Sequence, residues 1–304
     1  MPGVRRVSGS SAPSWGESAV GQQSNDVVTL RPREGMVDIH AHLLPRVDDG
    51  SRGIEQTLNM ARLAVADGIA TLVATPHHLN GVYRNPAAGI RRHCHVLGRK
   101  LIDEGIDLEV LPGAECHLVP ELPAALAQGT AMTVADRGRA VLVELPVHHV
   151  PRGATDILEE IVSLGLRPIV AHPERNTQLA RDSAMLREWV EGGVLAQVTA
   201  QSCIGKFGPQ ARAAAREMVQ QGLIHFIASD SHRDQRRIPE LTSGRAVIED
   251  WTCPEIGELL SETFPRALVR GHPIEASRLS HALGAPRRGW LSWFGAGRTG
   301  VARR

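Results

Sequence analysis

Two histidines near the start of the chain lie in a segment where apolar and polar residues alternate, Met36-Val-Asp-Ile-His-Ala-His42. Because a β-strand sends alternate side chains to one face, Asp38, His40 and His42 are predicted to point the same way. Two imidazole rings that leave a strand end in one direction can bind the same metal ion. This segment is therefore the first candidate for a metal site.

Seven more residues of metal-ligand type occur further along, nearly all just after a short apolar run: Asp49, His77, Glu115, Glu144, His172, Asp230 and His232. A single buried histidine after a strand is more often a hydrogen-bonded core residue than a ligand. A carboxylate in an apolar run, such as Glu144 or Asp230, is strongly unfavourable without a cation or a donor. A shared bound cation would neutralise these charges together, so the set predicts a metal centre.

The ligand types limit both the metal and the reaction. Imidazoles and carboxylates without thiolates suit Zn, Mn or Fe(II), and they also allow Mg. Glu115 and Glu144 are candidates to bridge two or three neighbouring ions. Ions about 3.5–4 Å apart lower the pKa of a bridging water and clamp both ends of an in-line phosphoryl displacement. Such a centre favours hydrolysis of a phosphoester or an amide, and it needs no nucleophile from the protein.

The positions of three arginines favour a phosphoester over an amide as the substrate. Arg175, Arg236 and Arg237 each follow a ligand-type histidine by a few residues, and planar guanidinium groups suit phosphate oxygens. Binuclear amide hydrolases often bridge their metals with a carbamylated lysine at a strand end. The only lysines here are Lys100 and Lys206, and neither ends a predicted strand.

Thiol catalysis and a disulfide framework are not indicated. The four cysteines are scattered and form no CxxC pair, so a reducing cytoplasm is the simplest setting. His93 and Cys94 begin like the HCx5R loop of cysteine-dependent phosphatases, but the required arginine is replaced by Lys100. That segment is also predicted to be the middle of a helix.

Composition excludes two further classes of protein. The 304 residues carry a net charge of only +1, whereas binding to a phosphate backbone usually needs a strong basic surplus, so nucleic acid is not the expected partner. No apolar run approaches the roughly 18 residues that a membrane helix requires.

Apolar runs alternate with amphipathic stretches from residue 36 onward. Strands are predicted over 36–42, 69–75, 107–114, 140–145, 167–172, 194–200 and 223–229. Between them lie residues with helical spacing, such as Ile54, Leu58, Ala61 and Val65. This alternation predicts an α/β fold with a parallel sheet and helices outside it.

The positions of the ligand-type residues favour a closed barrel over an open sheet. Almost every predicted strand delivers one at or just after its end, as in a barrel whose catalytic groups converge at the carboxyl-terminal rim. An open sheet would concentrate its site at one switch point. Seven repeats instead of eight predict a distorted or incomplete TIM-like barrel.

The sequence predicts that the chain is divided into three parts. Residues 1–35, rich in Ser, Gly, Pro and Arg, are expected to be a disordered leader. They lack the apolar core of a secretory signal, which supports a cytoplasmic location. Residues 36–283 are expected to form the catalytic barrel, and 284–304 a flexible tail that contains Arg and Trp.

Six motifs coincide with the predicted strand ends: DIHAHLLPRVDDG (38–50), ATPHH (74–78), GAE (113–115), VELP (143–146), AHPER (171–175) and ASDSH (228–232). With them, the chain from about 36 to 275 resembles the PHP (polymerase and histidinol phosphatase) superfamily. Within it, the chain is most similar to the bacterial protein-tyrosine phosphatases that accompany capsule and exopolysaccharide synthesis.

The resemblance implies a distorted (β/α)7 barrel, the PHP fold, with up to three metal ions, often manganese. It implies that the metal ligands are His40, His42, Asp49, His77, Glu115, Glu144, His172, Asp230 and His232. It also implies phosphate contacts from Arg175 and Arg237. The long leader and the tail go beyond the family's compact catalytic unit, and their roles stay open.

The expected function is a metal-dependent protein-tyrosine phosphatase that hydrolyses phosphotyrosine through a metal-bound hydroxide. Its expected substrate is a tyrosine kinase of capsule or exopolysaccharide synthesis. Manganese is the favoured metal, with zinc, iron or magnesium as alternatives. A phosphatase for a small metabolite such as histidinol phosphate is the alternative function, and a catalytically silent interaction subunit is a third. The sequence is compatible with a homo-oligomer.

Aromatic residues lie beside arginines in the tail, with Trp290 and Trp293 following Arg287 and Arg288. Such a segment could make weak contact with an anionic membrane surface, because aromatic rings favour the interface and basic residues attract anionic lipids. The alternative is that the rings pack back on the barrel or stay in solvent.

Overall fold

The computed structural model describes residues 34–284, and every element named below lies in that range. The strands are β1 (Met36–Ala41), β2 (Ile69–Ala74), β3 (His77–His78), β4 (Glu109–Pro112), β5 (Glu115–His117), β6 (Ala140–Glu144), β7 (Arg167–Ala171), β8 (Leu195–Thr199) and β9 (Phe226–Ala228). All strand pairs among them are parallel. The predicted α/β organisation with parallel pairing is therefore confirmed.

Helices separate most consecutive strands and continue beyond the last one. They are α1 (Ile54–Ala66), α2 (Ala87–Asp103), α3 (Leu122–Ala127), α4 (Ala154–Ser163), α5 (Thr177–Arg181), α6 (Ala184–Glu191), α7 (Ala200–Cys203), α8 (Pro209–Gln220), α9 (Thr242–Trp251), α10 (Pro254–Glu258), α11 (Phe264–Val269) and α12 (Ser277–Ala282). Short helical turns of other types span Val134–Asp136, Pro173–Arg175 and Leu259–Thr263. In α1 the predicted spacing places Leu58 and Ala61 in the core.

Two of the predicted strands are each followed, after two intervening residues, by a second short strand that the sequence did not predict. β2 and β3 are separated by Thr75 and Pro76, and β4 and β5 by Gly113 and Ala114. Proline has no N–H to donate to a neighbouring strand, which interrupts the ladder there. The strands form one sheet in the order β1-β2-β4 and another in the order β3-β5-β6-β7-β8-β9.

Hydrogen bonds join the end of β1 to the chain that follows β9. Ala41 forms a parallel bridge with Ser231. The His42 N–H donates to the Ser231 carbonyl at 2.8 Å, and the Asp230 N–H donates to the His40 carbonyl at 2.8 Å. This pairing brings two of the predicted ligand segments side by side.

The strands are nearly continuous in apolar residues, as expected for parallel strands that are covered on both faces. Every residue of β1, β8 and β9 is buried. Their side chains form one hydrophobic core with the inner faces of the helices, and Phe226 and Phe264 are among its largest fully buried members. This core fixes the strand ends that carry the site.

The two predicted terminal segments lie almost wholly outside the described residues. Of the predicted leader, 1–35, only residues 34 and 35 are described, and of the predicted tail, 284–304, only residue 284. Within residues 34–284, no helix combines the length and the apolar character needed to cross a membrane.

Candidate metal centre

The nine predicted ligands meet near the carboxyl ends of β1, β6, β7 and β9 and just after the breaks that follow β2 and β4. They are supplied by β1 and the loop after it (His40, His42, Asp49), β3 (His77), β5 (Glu115), β6 (Glu144), the residue after β7 (His172) and the loop after β9 (Asp230, His232). Because the carboxyl ends of parallel strands face one way, side chains far apart in sequence converge there. All nine belong to groups whose ligand atoms lie within 4.8 Å of one another.

The inner part of the centre is built around His40. Its Nε2 lies 3.3 Å from the Nε2 of His42, and each of these nitrogens lies 3.5 Å from Asp230 Oδ1. Glu115 Oε1 lies 3.3 Å from the His40 Nε2 and 2.9 Å from the His172 Nε2. These contacts form two adjoining groups that share His40.

The outer part is built around His77. Its Nδ1 lies 3.0 Å from Glu115 Oε2 and 3.6 Å from Glu144 Oε2. Its Nε2 lies 3.5 Å from Asp49 Oδ1, an oxygen that is also 3.5 Å from His232 Nε2. Glu115 thus contacts both parts of the centre, which suits the bridging role predicted for it.

The donor atoms are better placed to bind divalent cations than to form hydrogen bonds with one another. The facing Nε2 atoms of His40 and His42 cannot form a hydrogen bond unless one ring carries its proton there. The Nδ1 of His77 is buried and has no hydrogen-bond partner among the described residues, although carboxylates lie close to it. Imidazole and carboxylate donors that converge in this way are typical of zinc, manganese and iron sites.

The charges of the centre keep its two inner carboxylates, Glu115 and Asp230, ionised. Burial alone would raise the pKa of Glu115, but His40 beside it holds that pKa well below its usual range. The pKa of Asp230 is also well below its usual range, because His40 and two arginines outweigh burial. Burial alone would lower the pKa of His40, and the two carboxylates outweigh it and raise that pKa. Protons and metal ions therefore compete for the same imidazole nitrogens.

Two residues that the sequence did not single out orient the inner imidazoles. Gln197 Oε1 lies 3.0 Å from the Nδ1 of His40, and Asp48 Oδ2 lies 2.7 Å from the Nδ1 of His42. A proton held on Nδ1 leaves the Nε2 lone pair free to bind a metal. Asp48 is itself fixed by the N–H of Gly50 at 2.9 Å, and a side chain at Gly50 would come within 2.3 Å of the His42 carbonyl oxygen.

The two predicted phosphate-binding arginines share one acceptor. Arg175 Nη1 and Arg237 Nη2 both donate to Asp230 Oδ2, while the other oxygen of that carboxylate faces the inner histidines. Arg236, which also follows His232, is exposed. Asp230 and Arg237 have φ angles of 50° and 52°, a left-handed backbone that non-glycine residues adopt mainly where the surrounding structure holds them.

Four other candidates can now be placed. His93 and Cys94 lie inside α2, so the predicted mid-helix position is confirmed. His78 is buried beside His77 and joins none of the ligand groups found in the described residues. The Nδ1 of His117 lies 3.5 Å from Glu144 Oε2, so this histidine lies beside the outer part of the centre.

A family model described as "Capsular polysaccharide synthesis, CpsB/CapC" matches residues 36–269. The chain belongs to the CpsB/CapC family. The match spans all nine ligand positions and both arginines, and it confirms the branch to which the sequence motifs point.

Curated members of the CpsB/CapC family are similar over most of the chain. The tyrosine-protein phosphatase YwqE of Bacillus subtilis is 39% identical over 239 residues, which cover 79% of this chain and 93% of YwqE. The putative tyrosine-protein phosphatase CapC of Staphylococcus aureus is 32% identical, with 65% of this chain and 77% of CapC covered.

A solved structure of the CpsB/CapC family has the same fold. It comes from work on YwqE from Bacillus subtilis and CpsB from Streptococcus pneumoniae, described there as metal-dependent tyrosine phosphatases. The TM-score is 0.75 at 38% sequence identity, and the alignment covers 79% of this chain and 96% of the other.

Proposed function

We propose that this member of the CpsB/CapC family is a metal-dependent protein-tyrosine phosphatase. The observation that carries the proposal is the convergence of nine imidazole and carboxylate side chains beside two arginines that share Asp230. The names of the family relatives, which are tyrosine-protein phosphatases, support the same activity.

The nine side chains are proposed to hold two or three divalent ions, with manganese favoured and zinc, iron or magnesium as alternatives. When bound, such ions activate water for attack and neutralise charge on the phosphate. Arg175 and Arg237 are proposed to contact the phosphate oxygens. Their side chains are one-fifth and about three-tenths exposed. Asp230 accepts from one nitrogen of each, and a guanidinium carries further N–H donors that can bind an incoming anion.

The phosphate is proposed to transfer directly to water, without a cysteine intermediate. Burial raises the pKa of the thiols of Cys94 and Cys116 to about 12. Thiolate, not thiol, is the nucleophile of cysteine-dependent phosphatases, and almost none forms at neutral pH from such groups. Neither cysteine belongs to a ligand group of the described residues.

The substrate is proposed to be a phosphotyrosine protein, in particular a tyrosine kinase of capsule or exopolysaccharide synthesis. The family description supports the link to capsule synthesis. A cytoplasmic location, a leader over 1–35, a catalytic unit over 36–283 and weak membrane contact through the tail remain proposals based on the sequence.

We further propose that the strands close into a distorted seven-stranded barrel. β2 with β3, and β4 with β5, then count as two interrupted strands, because only two residues separate the members of each pair. The hydrogen bonds between the end of β1 and the chain after β9 support closure. A barrel would explain why ligands arrive from nearly every strand.

Turnover by metal-stripped protein tests the proposed function. The protein, resupplied with Mn, Zn, Fe(II) or Mg, is given a phosphotyrosine peptide or histidinol phosphate. We expect the peptide to be the better substrate and chelation to abolish its turnover. A clear preference for histidinol phosphate would replace the proposal with a metabolite phosphatase, and no turnover with any metal would indicate a silent subunit.

Variants of the ligands test the proposed centre separately. His40→Ala and Asp230→Ala should each lower both metal content and rate by orders of magnitude, because each removes a donor from the inner part. His117→Ala should lower them much less. Equal metal occupancy in the wild type and in Asp230→Ala would remove Asp230 from the centre.

A further inference from the structure

Phe207 lies in a tight turn between α7 and α8. The Lys206 N–H donates to the Gln201 carbonyl at 2.9 Å, and the Gly208 N–H donates to the Gly205 carbonyl at 3.0 Å. Gly205 and Gly208 have φ angles of 85° and 93°, which favour glycine. The turn is therefore fixed by its own backbone, and it holds the Phe207 ring in one place.

Both predicted phosphate-binding arginines lie against this ring. The guanidinium carbon of Arg175 is 4.5 Å from the ring centroid of Phe207, and that of Arg237 is 5.7 Å away. Both distances are within the range of a cation–π contact. The ring is only partly buried, so it is not an ordinary core residue.

The arrangement holds two like-charged side chains close together. Arg175 and Arg237 carry like charges, and in this structure one carboxylate oxygen of Asp230 holds both. A phosphate would compete with Asp230 for the same N–H groups, because both are anions that bind guanidinium edges. An aromatic face attracts a guanidinium without using those N–H groups, so it can hold both arginines while they bind phosphate.

We propose that Phe207 is a positioning residue that keeps Arg175 and Arg237 together over the phosphate-binding position. The proposal rests on the proposed function of the two arginines. It assigns to the 205–208 turn a role in binding the phosphate group, whatever alcohol the phosphate is attached to.

The test compares Phe207→Leu, which removes the aromatic face, with Phe207→Tyr, which keeps it. Trp251→Leu is the matched control, because Trp251 makes a similar contact with Arg212, 6.0 Å from its ring centroid, outside the candidate centre. Kinetics with p-nitrophenyl phosphate, a phosphotyrosine peptide and an alkyl phosphate give KM and kcat. Inhibition by inorganic phosphate and calorimetric phosphate binding to the Mn-loaded protein give affinity for the shared group.

Phe207→Leu should weaken phosphate binding and raise KM by roughly 10-fold, the loss of two partly exposed cation–π contacts. The factor should be the same for all three substrates, with kcat less affected and manganese content unchanged. Phe207→Tyr and Trp251→Leu should behave like the wild type.

Three results would overturn the proposal: unchanged phosphate affinity in Phe207→Leu, weakening for aryl phosphates alone, or loss of manganese. The second would mean that the ring contacts the substrate's own ring, and the third that it only supports the fold. If the wild type hydrolyses no phosphoester, the proposed function fails, and calorimetric binding of phosphate still decides the role of Phe207.

Discussion

At the scale of single residues, the state of the metal centre depends on which nitrogen of each histidine carries a proton. His40 and His42 both present Nε2 to the centre, and both have an acceptor at Nδ1. An acceptor at Nδ1 fixes the tautomer and the ring orientation, which raises the affinity of the other nitrogen for a metal. Gln197 and Asp48, which supply these acceptors, are therefore expected to affect the affinity for metal.

Gln197→Leu tests this dependence. Without the acceptor, His40 can carry its proton on Nε2, so metal affinity should fall by about 10- to 100-fold. Gln197→Glu keeps an acceptor at the same place and should preserve affinity. Calorimetric titration of metal-stripped protein with Mn measures both. Equal affinity in Gln197→Leu and the wild type would show that Gln197 does not orient His40.

Buried thiols lead to a second expectation at this scale. Because burial raises the pKa of Cys94 and Cys116 to about 12, neither should react at neutral pH in the folded protein. Iodoacetamide should therefore leave phosphatase activity largely intact, whereas a chelator should abolish it. If alkylation of Cys94 inactivates protein that is still folded, the metal mechanism is wrong.

The sequence predicts the candidate ligands better than it predicts the residues that support them. Nearly every ligand follows an apolar run, and a carboxylate there is strongly unfavourable without a cation or a donor, so local pattern and chemistry suffice to predict these residues. Gln197 lies 157 residues from His40, and nothing beside it in sequence indicates that contact. The contacts of Phe207 with two arginines that are distant in sequence are evident only in the structure.

At the scale of elements, the sequence predicts that strands are present, but it does not predict where each strand ends. The predicted strand over 69–75 ends at Ala74, and the one over 107–114 is reduced to β4. The short strands β3 and β5 then begin at His77 and Glu115, beyond both predicted ranges. The predicted strand over 223–229 shrinks to β9, Phe226–Ala228. Apolar character is similar on both sides of these boundaries, whereas pairing depends on hydrogen-bond partners that lie elsewhere in the chain.

His225, just before β9, couples the pairing of β8 and β9 to pH. Its Nδ1 accepts a hydrogen bond from the Ala196 N–H at 3.3 Å. Burial, with help from the charge of Arg167, lowers its pKa to about 3. The unfolded chain binds a proton near pH 6.5 and the folded chain does not until about pH 3, so this histidine favours unfolding as pH falls between those values.

We expect the free energy of unfolding of the wild type to fall relative to that of His225→Gln as pH drops from 7 toward 4. The full shift corresponds to about 5 kcal/mol, of which about 3 kcal/mol falls between pH 7 and pH 4. Urea denaturation of both proteins in chelator removes the contribution of metal binding. A difference that stays constant with pH would mean that His225 does not titrate in this way.

At the scale of the whole molecule, the candidate centre links distant parts of the chain. Its ligands span residues 40 to 232, and they enter from strands of both sheets. Any metal that binds the folded chain and not the unfolded chain must stabilise the entire fold.

Thermal unfolding measures this linkage without reference to activity. At a free Mn concentration about 100 times its Kd, binding should add about 2.7 kcal/mol and raise Tm by roughly 5–10 °C over protein in chelator. His40→Ala should lose most of the increase, because it removes a donor shared by two groups. Phe207→Leu should keep it, since that ring lies against Arg175 and Arg237 and belongs to none of the ligand groups found in the described residues. Identical Tm values with Mn and with chelator would show that the nine side chains do not form a manganese site in the folded protein.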